Sequence, residues 1–287
     1  MYENSAETDE EMECARDRIP IEGRNKGMYT AQNYHFAESL DDAAALLAKS
    51  KRNVILGGGM WLRMTNRPIQ TVIDLSRLGL DKIEETEEEV VIGAMVTLRG
   101  METAACLQEL FGGVLSKCVS SIVGVQFRNM ATVGASVYGR FGFSDIITAL
   151  LALDTYVELH GAGVMPLEEF LANRPERDIL TAVRIRKDGR RASYQTRRAA
   201  ATDFGLLDVC LSGKTDGTFA VSVGARPGVA VRCGEAEACL QRGDVAAARQ
   251  ALEQNVCYRD NMRASADYRK ALSGVLLQRA WDALQEG

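Results

Sequence analysis

The sequence predicts an α+β protein in two parts. Short apolar runs bounded by glycines alternate with helical patterns up to about residue 187. Strand-like stretches follow, and helices rich in Ala and Leu close the chain. At 287 residues the chain is long enough for two ordinary domains, and 46% hydrophobic content with 25% charge is the balance of a packed globule.

Residues 1–27 carry acids at their start (Glu3, Glu7, Asp9, Glu10, Glu11, Glu13) without apolar periodicity and read as a solvated, disordered tail. Ile21-Glu22-Gly23-Arg24 within them resembles a protease-processing site, and Met28 is a candidate start of the folded unit. From Ser39, a cap residue followed by Asp41 and Asp42 opens a helix with Leu46 and Leu47 on its apolar face. Asn53-Val54-Ile55-Leu56 reads as a strand, Gly57-Gly58-Gly59 breaks it, and residues 60–64 resume as a helical turn. Strands are predicted at 71–74 and 90–92, on either side of a charged turn at 84–89. Leu98, Met101, Ala105 and Leu110 recur at helical spacing, which predicts one helix over 95–110. Residues 116–136 are punctuated by glycine and small polar residues, 146–153 form a buried helix, and 156–159 a strand. Further strands are predicted at 193–196, 206–211 and 219–223, with the domain boundary near residue 189.

Several function classes are disfavoured. A net charge of -5 with scattered Lys and Arg offers no basic field for nucleic acid. No run of about 18 apolar residues is present to span a membrane, nor a secretory signal pattern, so a cytoplasmic location is expected. The seven cysteines form no C-x-x-C pair for zinc or an iron-sulfur cluster, and most read as reduced, buried small hydrophobes. With two histidines a histidine-rich metal site is excluded, and His35, beside aromatics, reads as a packing residue.

The glycine turn after the 53–56 strand would let backbone N–H groups approach a pyrophosphate, although its spacing is not that of a nicotinamide-binding G-x-G-x-x-G unit. A second segment adds specificity: Gln126-Phe127-Arg128-Asn129-Met130-Ala131-Thr132-Val133-Gly134-Ala135-Ser136, then Ser144-Asp145 and the apolar 146–153 stretch. It resembles the second flavin segment, Q-x-R-N-x-A-T-x-G-G-N, of the FAD-binding medium subunit of molybdenum hydroxylases of the xanthine dehydrogenase family. Leu56-Gly57-Gly58-Gly59-Met60-Trp61 then matches the family's A-G-G-T-D-L turn, and residues 72–75 and 92–98 match its I-D-L and I-G-A-x-T-T-L blocks. Arg197-Arg198 with Asp203-Phe204, and Arg263-Ala264-Ser265-Ala266-Asp267-Tyr268-Arg269, resemble its carboxy-terminal blocks.

The resemblance covers residues from about 28 onward. It implies a two-part PCMH-type FAD-binding domain over 28–189 and a smaller α+β domain, an antiparallel sheet plus helices, over 190–287. It implies FAD contacts at Ile55, Leu56, Gly57, Gly58, Gly59, Met60, Trp61 and Leu62, and at Gly93, Ala94 and Ile122. Further contacts are implied at Asn129, Thr132, Val133, Gly134, Ala135, Ser136, Asp145, Leu180, Arg197 and Arg198. The two glycine loops would hold the diphosphate between backbone amides. Asp145 would accept from a ribose or ribityl hydroxyl, or cap the helix that follows it. Trp61 would stack near the flavin or pack in the core. No side-chain acid, base or nucleophile is nominated.

By the same resemblance, the chain would be the electron exit of a complex hydroxylating a purine, another N-heterocycle or an aldehyde. Molybdopterin would sit on a large partner subunit and 2Fe-2S clusters on a small one, with NAD or another acceptor taking the electrons. The sequence departs from the family at Ala135-Ser136, where Gly-Asn is usual, and at Gly59-Met60, where Thr-Asp is common. Alanine replaces glycine freely only where φ is negative, so the second loop is expected to be differently shaped or to bind flavin less well. Arg197 or Arg198 would supply the charge of the family's lysine, or the two would be a solvated pair. Two other readings use the same residues: a free-standing flavin oxidase or reductase, and a scaffold subunit that has lost FAD.

Overall fold

The computed structural model describes residues 29–173 and 177–286. The acidic tail, the 21–24 tetrapeptide, Met28 and Cys14 lie outside the described residues.

The first unit is a parallel sheet, order β1-β3-β2, built from β1 (Ala31–Phe36), β2 (Val54–Leu56) and β3 (Ile69–Asp74). Helix α1 (Leu40–Lys49) joins β1 to β2. Its cap is Ser39, whose side chain accepts from the Asp42 amide at 3.0 Å, and Ala43 and Leu47 are its buried residues. His35, expected to pack among aromatics, instead bonds Asp42 through Nε2 at 2.7 Å. A second, antiparallel sheet has the order β4-β5-β8-β6-β7. Its strands are β4 (Ile83–Glu85), β5 (Glu89–Gly93), β6 (Thr155–Leu159), β7 (Gly163–Pro166) and β8 (Leu180–Arg186), with helix α8 (Leu167–Ala172) between β7 and β8.

Between β5 and β6 the chain forms α2 (Leu98–Thr103), α3 (Ala105–Glu109), α4 (Val114–Ser120), α5 (Val125–Met130), α6 (Val133–Tyr138) and α7 (Asp145–Leu151). This corrects two expectations. The single helix over 95–110 is broken at Ala104, which is extended (φ -64°, ψ 120°). In an unbroken helix Leu107 would lie half a turn out of phase with Leu98. The break turns Leu107 into the same core as Leu98 and Met101 and leaves Ala105 exposed. The glycine-punctuated stretch that includes the second loop is also mostly helical. Helix α7 is buried along its whole length, with Asp145 and Thr148 its only polar side chains.

The turn at residue 189 leads from this sheet to a third. Strands β9 (Arg191–Arg198), β10 (Gly205–Gly213), β11 (Phe219–Gly224) and β12 (Val231–Arg232) are antiparallel in the order β12-β11-β10-β9. Helices α9 (Gly234–Gln241), α10 (Val245–Asn255) and α11 (Ala266–Gln285) follow. Strand β10 is covered on both faces. Leu207, Val209 and Leu211 pack with the three terminal helices, while Cys210, with Ala192 and Tyr194 of β9, joins the core around α7. Arg269 of α11 is fully buried, and its guanidinium donates to the carbonyls of Leu206, Arg259 and Ala264 at 2.6–2.8 Å. Among the described residues no helix is long and apolar enough to cross a membrane.

Helix α7 is fastened to the third sheet at its carbonyls. Ser222 Oγ donates to Thr148 O at 2.5 Å, while Ser212 Oγ and the Arg190 guanidinium donate to Ala152 O. A β-carbon at Gly224 would lie 1.9 Å from Thr148 Oγ1. Gly224→Ala is therefore expected to destabilise the protein by about 1–3 kcal/mol through overpacking. Thermal unfolding should show a Tm several degrees lower, with much of the loss recovered in Gly224→Ala/Thr148→Ala.

Candidate functional site

The glycine turn leaves the end of β2 with Gly58 and Gly59 at φ 73° and 71°, a conformation that glycine adopts without strain. A β-carbon on Gly58 would lie 1.7 Å from Met130 O, and one on Gly57 would lie 2.4 Å from the β-carbon of Ala135. The two sequence segments singled out for flavin are thus in contact, and the missing side chains make the contact possible. Gly134 plays the same part on the other side, where its β-carbon would lie 2.6 Å from that of Ala94.

The second segment is not a loop. Thr132 caps α6, and Val133, Gly134, Ala135 and Ser136 form its first turn. Ala135 therefore has helical backbone angles, which removes the reason to expect a strained loop. The amides here are satisfied internally: Val133 N donates to Val96 O and Gly134 N to Ala94 O, both at 2.9 Å, and Ala135 N to Thr132 Oγ1 at 3.4 Å. By contrast, the amides of Gly58, Gly59, Met60 and Trp61 donate to no acceptor among the described residues. The first turn alone, rather than both segments, presents free N–H groups to an anion.

Trp61 projects from this turn into a cluster of phenylalanines. Its ring centroid lies 5.0 Å from Phe143, 5.6 Å from Phe141, 5.8 Å from Phe204 and 6.2 Å from Phe127. Together with Ile122, Ser136, Asp145 and Arg198, these rings line a cavity of about 50 Å³. Ligand pockets run to about 300 Å³ or more, so the rings must part to admit a planar heterocycle. Trp61 and Ile122 were singled out in the sequence. None of the four phenylalanines was nominated as a contact, although Phe127 and Phe204 lie within the matched blocks and the aromatic pair in Phe141-Gly142-Phe143, just ahead of Ser144-Asp145, is a signal that could have found the other two.

The floor of the cavity is polar. Ser144, not Asp145, caps α7, its hydroxyl accepting from Ile147 N at 3.4 Å. Asp145 Oδ1 accepts from the Tyr194 hydroxyl at 2.6 Å and from the Arg198 guanidinium, so this oxygen is already engaged within the protein. Arg198 is buried beside Asp145, whereas its neighbour Arg197 is exposed; the two are not a solvated pair. Tyr194, Thr196 and Arg198 alternate along one face of β9. Opposite Thr196 in the register stands Asp208, fully buried, which accepts from Thr196 Oγ1 at 2.5 Å. Neither Asp208 Oδ2 nor Arg198 Nε has a partner. Burial pushes the Asp145 carboxyl above its ordinary value against the pull of Arg198 and Tyr194. Burial, and then the charge of Asp145, push Asp208 up to about 7.

Other nominated residues lie elsewhere. Ile55 and Leu56 belong to β2 and Leu62 to a 3-10 turn. Asn129 is exposed on α5. Leu180 packs in the core at the start of β8. Gly93 is a packing glycine whose β-carbon would lie 2.1 Å from Leu80 O. Arg128, not nominated, is buried and holds the Glu102 carboxylate at 2.8 Å and Ile122 O at 3.0 Å, fixing the wall from which Ile122 reaches the cavity.

The raised value at Asp208 has a sign that can be tested. A carboxyl that holds its proton more tightly when folded favours the folded state below the ordinary value of 3.8, and that stability is lost as pH rises through about 7. Wild-type Tm is therefore expected to fall between pH 4 and pH 7. In Asp208→Asn the fall should be smaller, as differential scanning calorimetry over that range would show.

A family described as the FAD binding domain in molybdopterin dehydrogenase matches residues 28–186. The protein YgfM of Escherichia coli K12, which has no assigned activity, is 27% identical over 257 residues, covering 84% of this chain and 91% of that one. A xanthine dehydrogenase FAD-binding subunit of Escherichia coli O157:H7 is 25% identical over 269 residues, covering 84% and 92%. In fold, the chain superposes on one chain of reconstituted CO dehydrogenase from Oligotropha carboxidovorans with a TM-score of 0.82 at 22% identity, covering 90% of this chain and 99% of that one. A chain of quinoline 2-oxidoreductase from Pseudomonas putida 86 gives a TM-score of 0.81 at 19% identity, covering 90% and 98%. The chain belongs to the family of FAD-binding domains of molybdopterin dehydrogenases.

Proposed function

We propose that this chain is the FAD-carrying electron-transfer subunit of a molybdenum hydroxylase complex. Partner subunits would hold molybdopterin and 2Fe-2S clusters, and NAD or another acceptor would take the electrons. The observation that carries this reading is the free amide row of Gly58 to Trp61, on a turn whose Gly57 and Gly58 pack against Ala135 and Met130 and whose Trp61 lines the aromatic cavity.

The residues present suit the cofactor. Four unpaired N–H groups on a glycine turn are a cradle for a diphosphate, and a β-carbon at Gly58 would drive that turn off Met130 O. Bound there, the flavin would supply the ability to take electrons singly and release them as a pair. The chain's own part is to bind, orient and exclude water. Trp61, Phe127, Phe141, Phe143 and Phe204 offer apolar ring faces. Arg198, anchored on Asp145, brings a positive charge to one side of the cavity. The family link to xanthine dehydrogenase favours an N-heterocyclic substrate on the molybdenum partner, and the domain division near residue 189 is part of the same proposal.

The test is spectroscopic. Purified protein should carry about one FAD per chain, released by heat and identified by mass. FAD added to flavin-free protein should quench the fluorescence of Trp61. The quench should persist in Trp281→Phe, whose ring packs on Phe219 in the carboxy-terminal part, and largely vanish in Trp61→Phe. Gly58→Ala, whose β-carbon would collide with Met130 O and displace the turn that carries the free amides, should weaken FAD affinity by tenfold or more. No flavin bound even from excess FAD would defeat the proposal.

A further inference from the structure

The polar floor of the cavity holds more acid than base. Asp145 and Asp208 face one guanidinium, Arg198, in an interior where Asp208 has no exposed surface and Asp145 little. Arg198 is committed on both of its terminal nitrogens, to the Asp145 carboxylate and to Asp203 O. Its pairing with Asp145 leaves Asp208 with hydroxyl neighbours alone, Thr196 bonded to Oδ1 and Tyr194 nearby, and among the described residues Oδ2 has no partner. The remaining titratable groups facing Asp208 do not supply a positive charge: Tyr194 on β9, Cys118 on α4, and Cys210 on its own strand. A carboxyl so placed is the group that takes up a proton when further negative charge arrives nearby. A route for that proton exists, since Thr196 is only partly buried and its hydroxyl already points at Asp208.

We propose that Asp208 is the charge-compensating proton acceptor of the flavin site, taking up a proton as electrons reach a flavin bound beside Asp145 and Arg198. The inference rests on the flavin reading above and adds a positioning residue to it. Asp208 does not line the cavity; it acts through the Arg198–Asp145 pair that does. Two electrons and one proton leave the reduced ring with one net negative charge. A second proton from solvent, relayed through Thr196, forms an O–H bond on Asp208 Oδ1; the Thr196 hydroxyl gives up its own proton and regains one from solvent, so no net bond of the protein is lost. The electrons come from a one-electron donor, of the iron-sulfur class in the proposed complex and an electrode with mediators in the test.

The measurement is the midpoint potential of the FAD-loaded protein against pH. Each proton taken up with an electron pair changes the equilibrium tenfold per pH unit, about 30 mV. Above pH 7, until the reduced protein itself loses the extra proton, wild type should follow a two-proton slope, and Asp208→Asn should be shallower by one proton. Thr196→Val, which keeps the carboxyl but removes its hydrogen bond, should move the steep region to higher pH without abolishing it. It also carries the test if Asp208→Asn fails to fold. In flavin-free protein, infrared difference spectra between pH 6 and pH 8 should show a carboxylic-acid C=O band that is lost on deprotonation and absent from Asp208→Asn. Parallel potential slopes in FAD-loaded wild type and Asp208→Asn, or a band that does not titrate, would overturn the proposal while leaving the flavin reading intact. Failure of both proteins to bind FAD overturns the two together.

Discussion

Arg198 brings a guanidinium into an interior that also contains Asp145 and Asp208, and a buried charge of that kind persists only where its partners are fixed. The fixing is done by elements far apart in sequence. Asp145 starts α7, a helix that can be buried all round because residues 146–151 include only one polar side chain, Thr148, whose hydroxyl bonds back to Ser144 O at 3.2 Å. Arg198 ends β9, and Asp208 stands on β10, opposite Thr196. Drawing the first part of the chain away from the third sheet would strand one carboxylate or the guanidinium without its partner, which costs several kcal/mol for each uncompensated ion. The ion cluster and the Ser222 and Ser212 bonds to α7 therefore work together to lock the two parts around the cavity.

The fold was legible wherever periodicity or a cap is local. The Ser39 cap, the apolar run of α7 and the carboxy-terminal strands and helices follow from residues that neighbour one another in sequence. The helix over 95–110 failed because Leu98, Met101 and Ala105 satisfy helical spacing by themselves; only the burial of Leu107, a tertiary fact, forces the break at Ala104. The second flavin segment looked like a loop because glycine and small polar residues favour loops. Here Gly134 serves instead to bring a helix against Ala94.

At the site, the glycine turn and Asp145 were legible through their resemblance to a family. Asp208, Tyr194 and Thr196 were not. Within Leu206-Leu207-Asp208-Val209-Cys210-Leu211 the aspartate reads as the polar member of an apolar strand, and nothing local says that this face is covered. Its meaning depends on cross-strand register and on α7 packing over it, relations that a single sequence does not carry. The phenylalanines come from α5, from the 139–144 connection and from the loop before β10, and their convergence on Trp61 is likewise a tertiary fact.

The small size of the cavity follows from the same composition. Connecting segments carry Phe141 and Phe143 ahead of α7 and Phe204 ahead of β10, whereas Asp145 and Arg198 sit on a helix and a strand. Apolar rings on connecting segments pack on one another because that removes their faces from water. The polar floor cannot follow, since moving it would break the buried ion pair. A planar ligand entering here would displace rings rather than charges, exchanging aromatic contacts among phenylalanines for contacts with its own faces. Opening the cavity in this way leaves the Arg198–Asp145 pair beneath it intact.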